Sequence, residues 1–302
     1  MLSLSTSLIP RPQRSADRII EEARALGFKA IELDFALSES TVEEVIALKG
    51  RWAIVISSLH HMCPLPGGID PKRASPDTYN LASSDVDERR LAVRTAQNTI
   101  RYAAKAGARA VVLHAGSVEV RDRTRELAAS SDEPARFALI SAEMVRERAT
   151  GAGAAVDRAI ASLGEIVPFA QDAGVLIGLE NRYHYCDIPL GDEFSAIFAA
   201  VDGARYWHDV GHAEALERLD LARHEELLKK HAGRLIGIHL HDIIGLTDDH
   251  HAPRCGTFDF SRLVPFVRDD TIKVIEAHPP ATGDDVRRAR EYLEGLFGGR
   301  EG

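Results

Sequence analysis

Short runs of β-type composition alternate with longer helical patterns along the whole chain, and no other feature constrains the fold as strongly. Strands are read near 2–8, 28–34, 52–60, 109–114, 175–180, 204–209, 234–240 and 272–276. Several, such as the run before His114 and the run before Glu180, are almost unbroken apolar stretches, as expected of strands covered on both faces of a parallel sheet. Helical patterns fill the gaps at 15–26, 40–49, 85–106, 138–173, 192–200, 217–231, 260–268 and 283–297, and Gly27 and Gly107 sit where C-caps belong. Eight such alternating units predict an α/β fold, a single closed (β/α)8 TIM barrel over 1–302, with an open doubly wound sheet as the alternative. The 302 residues, 45% of them hydrophobic, are enough for one core of that size. Residues 61–84 and 117–137 read as long loops after strands three and four, on the face where barrels carry their sites.

The ends of the predicted strands carry the chemistry. Strand three ends in His60-His61, strand four in His114-Ala115-Gly116-Ser117, and strand five in Glu180-Asn181-Arg182. Strand six ends in Asp209-Val210-Gly211-His212. Strand seven gives His239-Leu240-His241-Asp242, followed by Asp248-Asp249-His250-His251, and strand eight ends in Glu276. Each of these alone has an ordinary reading as a hydrogen-bonded or ion-paired residue. Six successive strands placing a carboxylate or imidazole at the same end is not a packing pattern, because such groups are costly to bury unless paired or metal-bound. Their convergence predicts a divalent-metal site.

These residues also resemble the xylose-isomerase-like barrel superfamily, which contains sugar isomerases and epimerases and the endonuclease IV type of DNA-repair enzyme. The resemblance runs from IELDF at strand two to VIEAHP at strand eight. It implies a core metal held by Glu180, Asp209, His239 and Glu276. His239 and His241 share one face of the strand, and the His-x-x-Asp spacing to Asp242 favours His239. The endonuclease IV branch implies up to three zinc ions with further ligands at His60, at His114 (HAGS in place of H-P-G-S), at His212 (D-x-x-H), and at Asp248 and His250 (D-x-H). The glycine-rich tail of that last motif is altered here to Ala252-Pro253-Arg254-Cys255-Gly256.

A nuclease must track phosphates with basic side chains and wedge the base stack. The net charge of −9, the acid-interleaved Arg121, Arg123 and Arg125, and a loop after strand two without Arg or Lys disfavour nucleic acid. The resemblance therefore implies a metal-dependent sugar or sugar-phosphate isomerase or epimerase, with zinc or manganese, one to three ions, and a small sugar-like substrate. In that reading Glu180 and Glu276 exchange a proton as base and acid, and His212, His241, Arg182 and Arg254 contact substrate. Tyr183 is a candidate pocket wall and Trp207 a core residue. The alternative is a polynuclear zinc phosphodiesterase, or a lyase or hydrolase on a modified sugar. Three scattered cysteines (Cys63 and Cys186 read as small buried thiols), a polar opening segment and no long apolar run suggest a reducing, cytoplasmic setting without membrane contact. A homo-oligomer is compatible with such a barrel.

Overall fold

In a computed structural model, described over residues 1–298, all eight predicted strands form and pair in chain order into one closed parallel barrel. They are β1 (Leu2–Ser5), β2 (Ala30–Leu33), β3 (Val55–His60), β4 (Ala110–Leu113), β5 (Leu176–Glu180), β6 (Ala204–Asp209), β7 (Leu235–Leu240) and β8 (Ile272–Ile275). The ring closes where Leu2, Ser3 and Leu4 pair with Lys273, Val274 and Ile275, which excludes the open doubly wound sheet. Around it lie α1 (Ala16–Ala25), α2 (Glu39–Trp52), α3 (Val86–Ala106), α4 (Thr124–Ala129), α5 (Pro134–Asp172), α6 (Glu193–Ala200), α7 (Val210–Arg218), α8 (His224–His231) and α9 (Gly283–Gly298). Ser15, Ser38 and Asp85 cap the first three helices by accepting from first-turn backbone N–H groups.

Three expectations need correction. Residues 117–137 are not one loop: they contain α4 and the start of α5, whose first turn holds Pro134 where its missing N–H costs nothing. The helix read at 217–231 is two helices, and α7 starts directly off β6. Asp209 is both the last strand residue and the cap, accepting from the His212 N–H at 2.7 Å. The helix read at 260–268 is a single 3-10 turn, Phe260–Leu263; Pro265 follows and cannot donate to a continued helix.

Most of the core lies between strands and helices, where Ile20, Val42, Leu59, Ile100, Leu163 and Phe194 are fully or almost fully buried. A second cluster gathers Ala110, Val112, Trp207, Ile272 and Val274. Trp207, completely buried, is its largest member and belongs to the core, as expected. Its ring lies over the neighbouring strands so closely that a Cβ on Gly237 would fall 2.0 Å from it, and one on Gly178 3.0 Å. The same ring stands edge-on to His239, with centroids 5.1 Å apart, and so forms the floor beneath the strand-end residues. Gly237→Ala is expected to destabilise the protein by roughly 1–3 kcal/mol through overpacking against this rigid ring. Urea unfolding measures it, and an unchanged midpoint would contradict the packing described.

Candidate metal centre

Side chains two residues apart on a strand share a face, and the residues that meet at the centre keep that parity: Trp207 with Asp209, Gly237 with His239, Val274 with Glu276. His239 reaches across the barrel to Glu32 on β2, with Nε2 to Oε1 at 3.0 Å. Strands two and seven are not neighbours in the ring, so the contact crosses the interior. The other nitrogen of His239 faces Glu180 Oε1 at 2.6 Å, Glu276 Oε2 at 3.1 Å and Asp209 Oδ2 at 3.5 Å. Glu180, Asp209, His239 and Glu276 thus bring one donor atom each to within 4.8 Å of one another. Glu180 also joins a second group: its Oε2 lies 2.6 Å from His114 Nε2 and 3.6 Å from His60 Nε2. A third group holds His212, His241, Asp248 and His250, with His250 Nε2 2.8 Å and His212 Nε2 3.4 Å from Asp248 Oδ2.

The imidazoles are oriented by what holds their outer nitrogens. His60 Nδ1–H donates to the His61 carbonyl at 2.7 Å, His212 Nδ1–H to the Asn181 carbonyl at 2.9 Å, and His250 Nδ1–H to the Glu276 carbonyl at 3.1 Å. His114 Nδ1–H donates to Asp77 Oδ1 at 2.6 Å. A carbonyl or carboxylate can only accept, so in these four the Nε2 is the inward-facing ligand atom. His239 is reversed, because Glu32 takes its Nε2 and Nδ1 faces the carboxylates; Ser58 Oγ–H donates to the other Glu32 oxygen at 2.7 Å. Such outer partners fix tautomer and ring angle in metal sites. This arrangement, with its mixed imidazole and carboxylate donors, fits a divalent cation.

The third group depends on one loop. Asp242 holds it by accepting from the backbone N–H groups of Ile243 (3.0 Å), Arg254 (3.1 Å) and Phe258 (3.2 Å). Its own backbone pairs with that of His251. A Cβ on Gly256 would fall 2.3 Å from the Asp242 carboxylate, so the altered tail keeps the one glycine it needs. Asp242 is therefore a loop anchor. Arg254, expected near substrate, is exposed with a left-handed φ of 73°, and its guanidinium sits 4.8 Å over the Tyr292 ring, away from the cavity lining. Its backbone was captured by Asp242, which turns the side chain outward.

A cavity of about 310 Å³ opens over the three groups, lined among others by His60, His114, Glu180, Arg182, Asp248 and Glu276. Arg182 is buried beside Asp77 (3.2 Å), Asp187 (3.5 Å) and Glu180 (3.8 Å). Tyr183 lines the wall as expected. His241 lies outside the lining and instead donates from Nε2 to Asp209 at 2.9 Å. Four contributors were not anticipated. Glu32 and Phe35 belong to the IELDF run itself, Asp77 comes from the 61–84 loop, and His278 stacks on His250 at 3.9 Å. Glu32 lies inside β2 and His278 three residues beyond the end of β8, so a reading of strand ends passes over both, and Asp77 carries no local signal. Cys63 is buried, Cys186 partly buried and Cys255 exposed, all as free thiols.

Burial alone would depress the basicity of His60, but Glu180, Glu276 and Glu32 outweigh it and raise its pKa from 6.5 to about 9. His250 is likewise raised to about 9 against burial, by Asp248 first and then by Glu276 and Asp209. Glu180 and Asp209 lie well below the ordinary carboxylate range, since the facing imidazoles overcome their desolvation. In the metal-free fold protons therefore occupy the positions a cation would take. The raised histidines contribute stability that is complete below pH 6.5 and is lost as pH rises through about 9. A bound cation has to displace these protons. Between pH 6.5 and 9 the melting temperature of the metal-free protein is expected to fall while zinc or manganese affinity rises. Calorimetry in buffers of different ionisation heat should show proton release; a pH-independent affinity without it would contradict the assignment.

A family model described as xylose isomerase-like TIM barrel matches residues 20–296. Among curated proteins none matches the sequence. Among solved structures, a D-tagatose 3-epimerase-like protein superposes with a TM-score of 0.69 at 21% identity, over 98% of this chain and 97% of that one. The 3-keto-D-glucoside 4-epimerase of E. coli gives 0.69 at 13% identity, over 97% and 98%. A Thermus thermophilus protein soaked with ZnCl2 gives 0.61 at 21% identity, over 98% of each chain. These likenesses establish the fold. With the family model spanning most of its length, this chain belongs to the xylose isomerase-like TIM barrel family.

Proposed function

We propose that this protein is a divalent-metal-dependent isomerase or epimerase acting on a small sugar or sugar phosphate. One observation carries the reading: the two carboxylates Glu180 and Glu276 flank His239 at the floor of a cavity of about 310 Å³. That volume is at the small end for ligand pockets. Glu180, Asp209, His239 and Glu276 would hold the cation, which when bound supplies Lewis acidity to a substrate carbonyl. One of the two glutamates takes the proton from the carbon beside that carbonyl, and the other returns a proton to the opposite face or to the neighbouring carbon. Arg182, the one fixed cation among the described lining residues, is placed to meet a hydroxyl or phosphate. His212, with Arg182 Nη1 3.3 Å from its Nε2, is a second polar contact. Solved structures named as L-ribulose 3-epimerase and D-psicose 3-epimerase share the fold and support the same class. Free thiols fit a reducing cytoplasm, and no described helix is long and apolar enough to cross a membrane.

The sharing of Glu180 between two donor groups favours a second reading, a polynuclear phosphodiesterase. The single lining arginine and the Asp77 carboxylate beside it weigh against a nucleic-acid backbone. Incubation with a panel of ketoses and their phosphates in D2O, with manganese, cobalt or zinc, should place deuterium on the carbon next to the carbonyl. Glu276→Gln should lower that exchange by about 10²–10⁴-fold with an unchanged circular dichroism spectrum. Full activity in the variant would remove Glu276 as acid or base. Hydrolysis of a phosphodiester probe without any exchange would replace the isomerase reading with the second one.

A further inference from the structure

The face of β6 that packs against helices should be apolar. Trp207 and Asp209 take the inward positions, which leaves Tyr206 and His208 pointing outward, and both are completely buried. Burying such groups is costly unless each is paired, and here they are strung into one chain. Tyr206 Oη lies 2.6 Å from His208 Nδ1, and His208 Nε2 lies 2.9 Å from His224 Nε2 at the start of α8. His224 Nδ1 faces Glu214 Oε2 on α7 at 3.4 Å. At the other end Tyr206 Oη lies 3.1 Å from Asn181 Oδ1. Asn181 follows Glu180 and brackets Asp209: its side chain accepts from the Asp209 N–H and donates to the Asp209 carbonyl, both at 2.9 Å. Its own carbonyl takes the His212 Nδ1–H at 2.9 Å.

Counting protons fixes the direction of this chain. A carboxylate and an amide oxygen only accept, so both ends are acceptors. Four contacts therefore need four protons, and neutral Tyr206, His208 and His224 bring three. With three, one buried contact sets lone pair against lone pair, which is costly. A fourth proton fills every contact, and its place is His224, beside the Glu214 carboxylate. Burial holds His208 well below the ordinary imidazole range and keeps the Tyr206 hydroxyl protonated. Around His224, Glu217 accepts its backbone N–H, Phe258 stacks on its ring at 4.7 Å, and Arg218 and Arg262 reach Glu214 at 2.9 and 4.0 Å. His224 Nε2–H then donates to His208, His208 Nδ1–H to Tyr206, and Tyr206 O–H to Asn181.

We propose that Tyr206, His208 and His224 form a four-proton chain that positions Asn181, and through it the donors Asp209 and His212. The inference rests on the reading of those donors as cation ligands. With Tyr206 O–H and the Asp209 N–H both on its oxygen, the Asn181 amide is locked against turning over. Asp209 is then held by its backbone while its carboxylate faces the centre. The chain ends between α7 and α8, so the packing of those helices is felt at the donors.

Nitrogen-15 NMR of histidine-labelled, metal-free wild-type protein at pH 6 reads the count directly. His224, assigned by its contact with the Phe258 ring, should carry a proton on both nitrogens, and His208 on Nδ1 alone. A single N–H on His224 would overturn the proposal. Tyr206→Phe removes only the hydroxyl, and by calorimetric titration its manganese affinity should fall about 10-fold, the low end for outer partners of a metal site. His224→Gln should do the same, and the double variant should lose no more than either single one, because both cut one chain. A merely structural chain would lower the melting temperature and leave manganese binding unchanged; that result in both variants, or losses that multiply, would overturn the positioning role. Wild-type protein that takes up no manganese would sink the cation reading and this role with it, whereas wild-type binding beside indifferent variants sinks the role alone. The NMR measurement needs no variant, so it can overturn the proposal even if Tyr206→Phe fails to fold.

Discussion

Glu180 is a carboxylate only 1% exposed, and the rest of the site is arranged around its charge. One oxygen faces His239 at 2.6 Å; the other faces His114 at 2.6 Å and His60 at 3.6 Å. A buried, unpaired carboxylate would cost several kcal/mol, and Asp209 and Glu276 repeat the problem within the same few ångströms. Protons on the histidines meet that demand in the metal-free fold; a divalent cation meets it with fewer particles and defined geometry. The outward hydrogen bonds of His60, His114, His212, His239 and His250 leave the inward nitrogen of each facing the other donors, the arrangement that a bound cation would need.

The barrel supplies the convergence. Parallel closure places eight strand ends around one opening, and two-residue periodicity stacks the polar layer directly on Trp207. Gly178 and Gly237 give that ring its room, so the strand interior that looks weakest by propensity is what lets a large apolar floor sit under a charged centre. Above the floor the donors include an inner set (Glu180, Asp209, His239, Glu276) and an outer one (His212, His241, Asp248, His250), and both border the cavity, through Glu180 and Glu276 and through His212, Asp248 and His250. Asp209 serves both: it caps α7, lies among the inner donors, and accepts from His241.

The barrel was legible because its signals are local and repeated: apolar runs, glycine C-caps, and carboxylates or imidazoles at strand ends. Glu180, Asp209, His239 and Glu276 stood among the strand-end residues for the same reason; the family resemblance singled them out as one set, and the structure brings a donor atom of each to within 4.8 Å of the others. What escaped was long-range. Asp77 meets His114 only because the 61–84 loop folds back over β4, and nothing near Asp77 in the chain announces it. Arg254 looked like a cavity residue by its place after strand seven, but a backbone hydrogen bond to Asp242 turned it outward. The start of α7 was hidden because Asp209 ends a strand and begins a helix with no loop between. His241 could be placed on the correct face, yet whether it met substrate or carboxylate depended on Gly211 and Asp209, which only the fold brings near it.

The proposed chemistry stands or falls with a divalent cation held by Glu180, Asp209, His239 and Glu276. Anomalous diffraction at the zinc edge, on crystals soaked with zinc at pH 8, tests it most directly. A peak enclosed by these four residues is expected, with ligand distances of about 2.0–2.2 Å. No peak there, with the imidazole–carboxylate contacts at 2.6–3.1 Å persisting in zinc-soaked crystals, would contradict it.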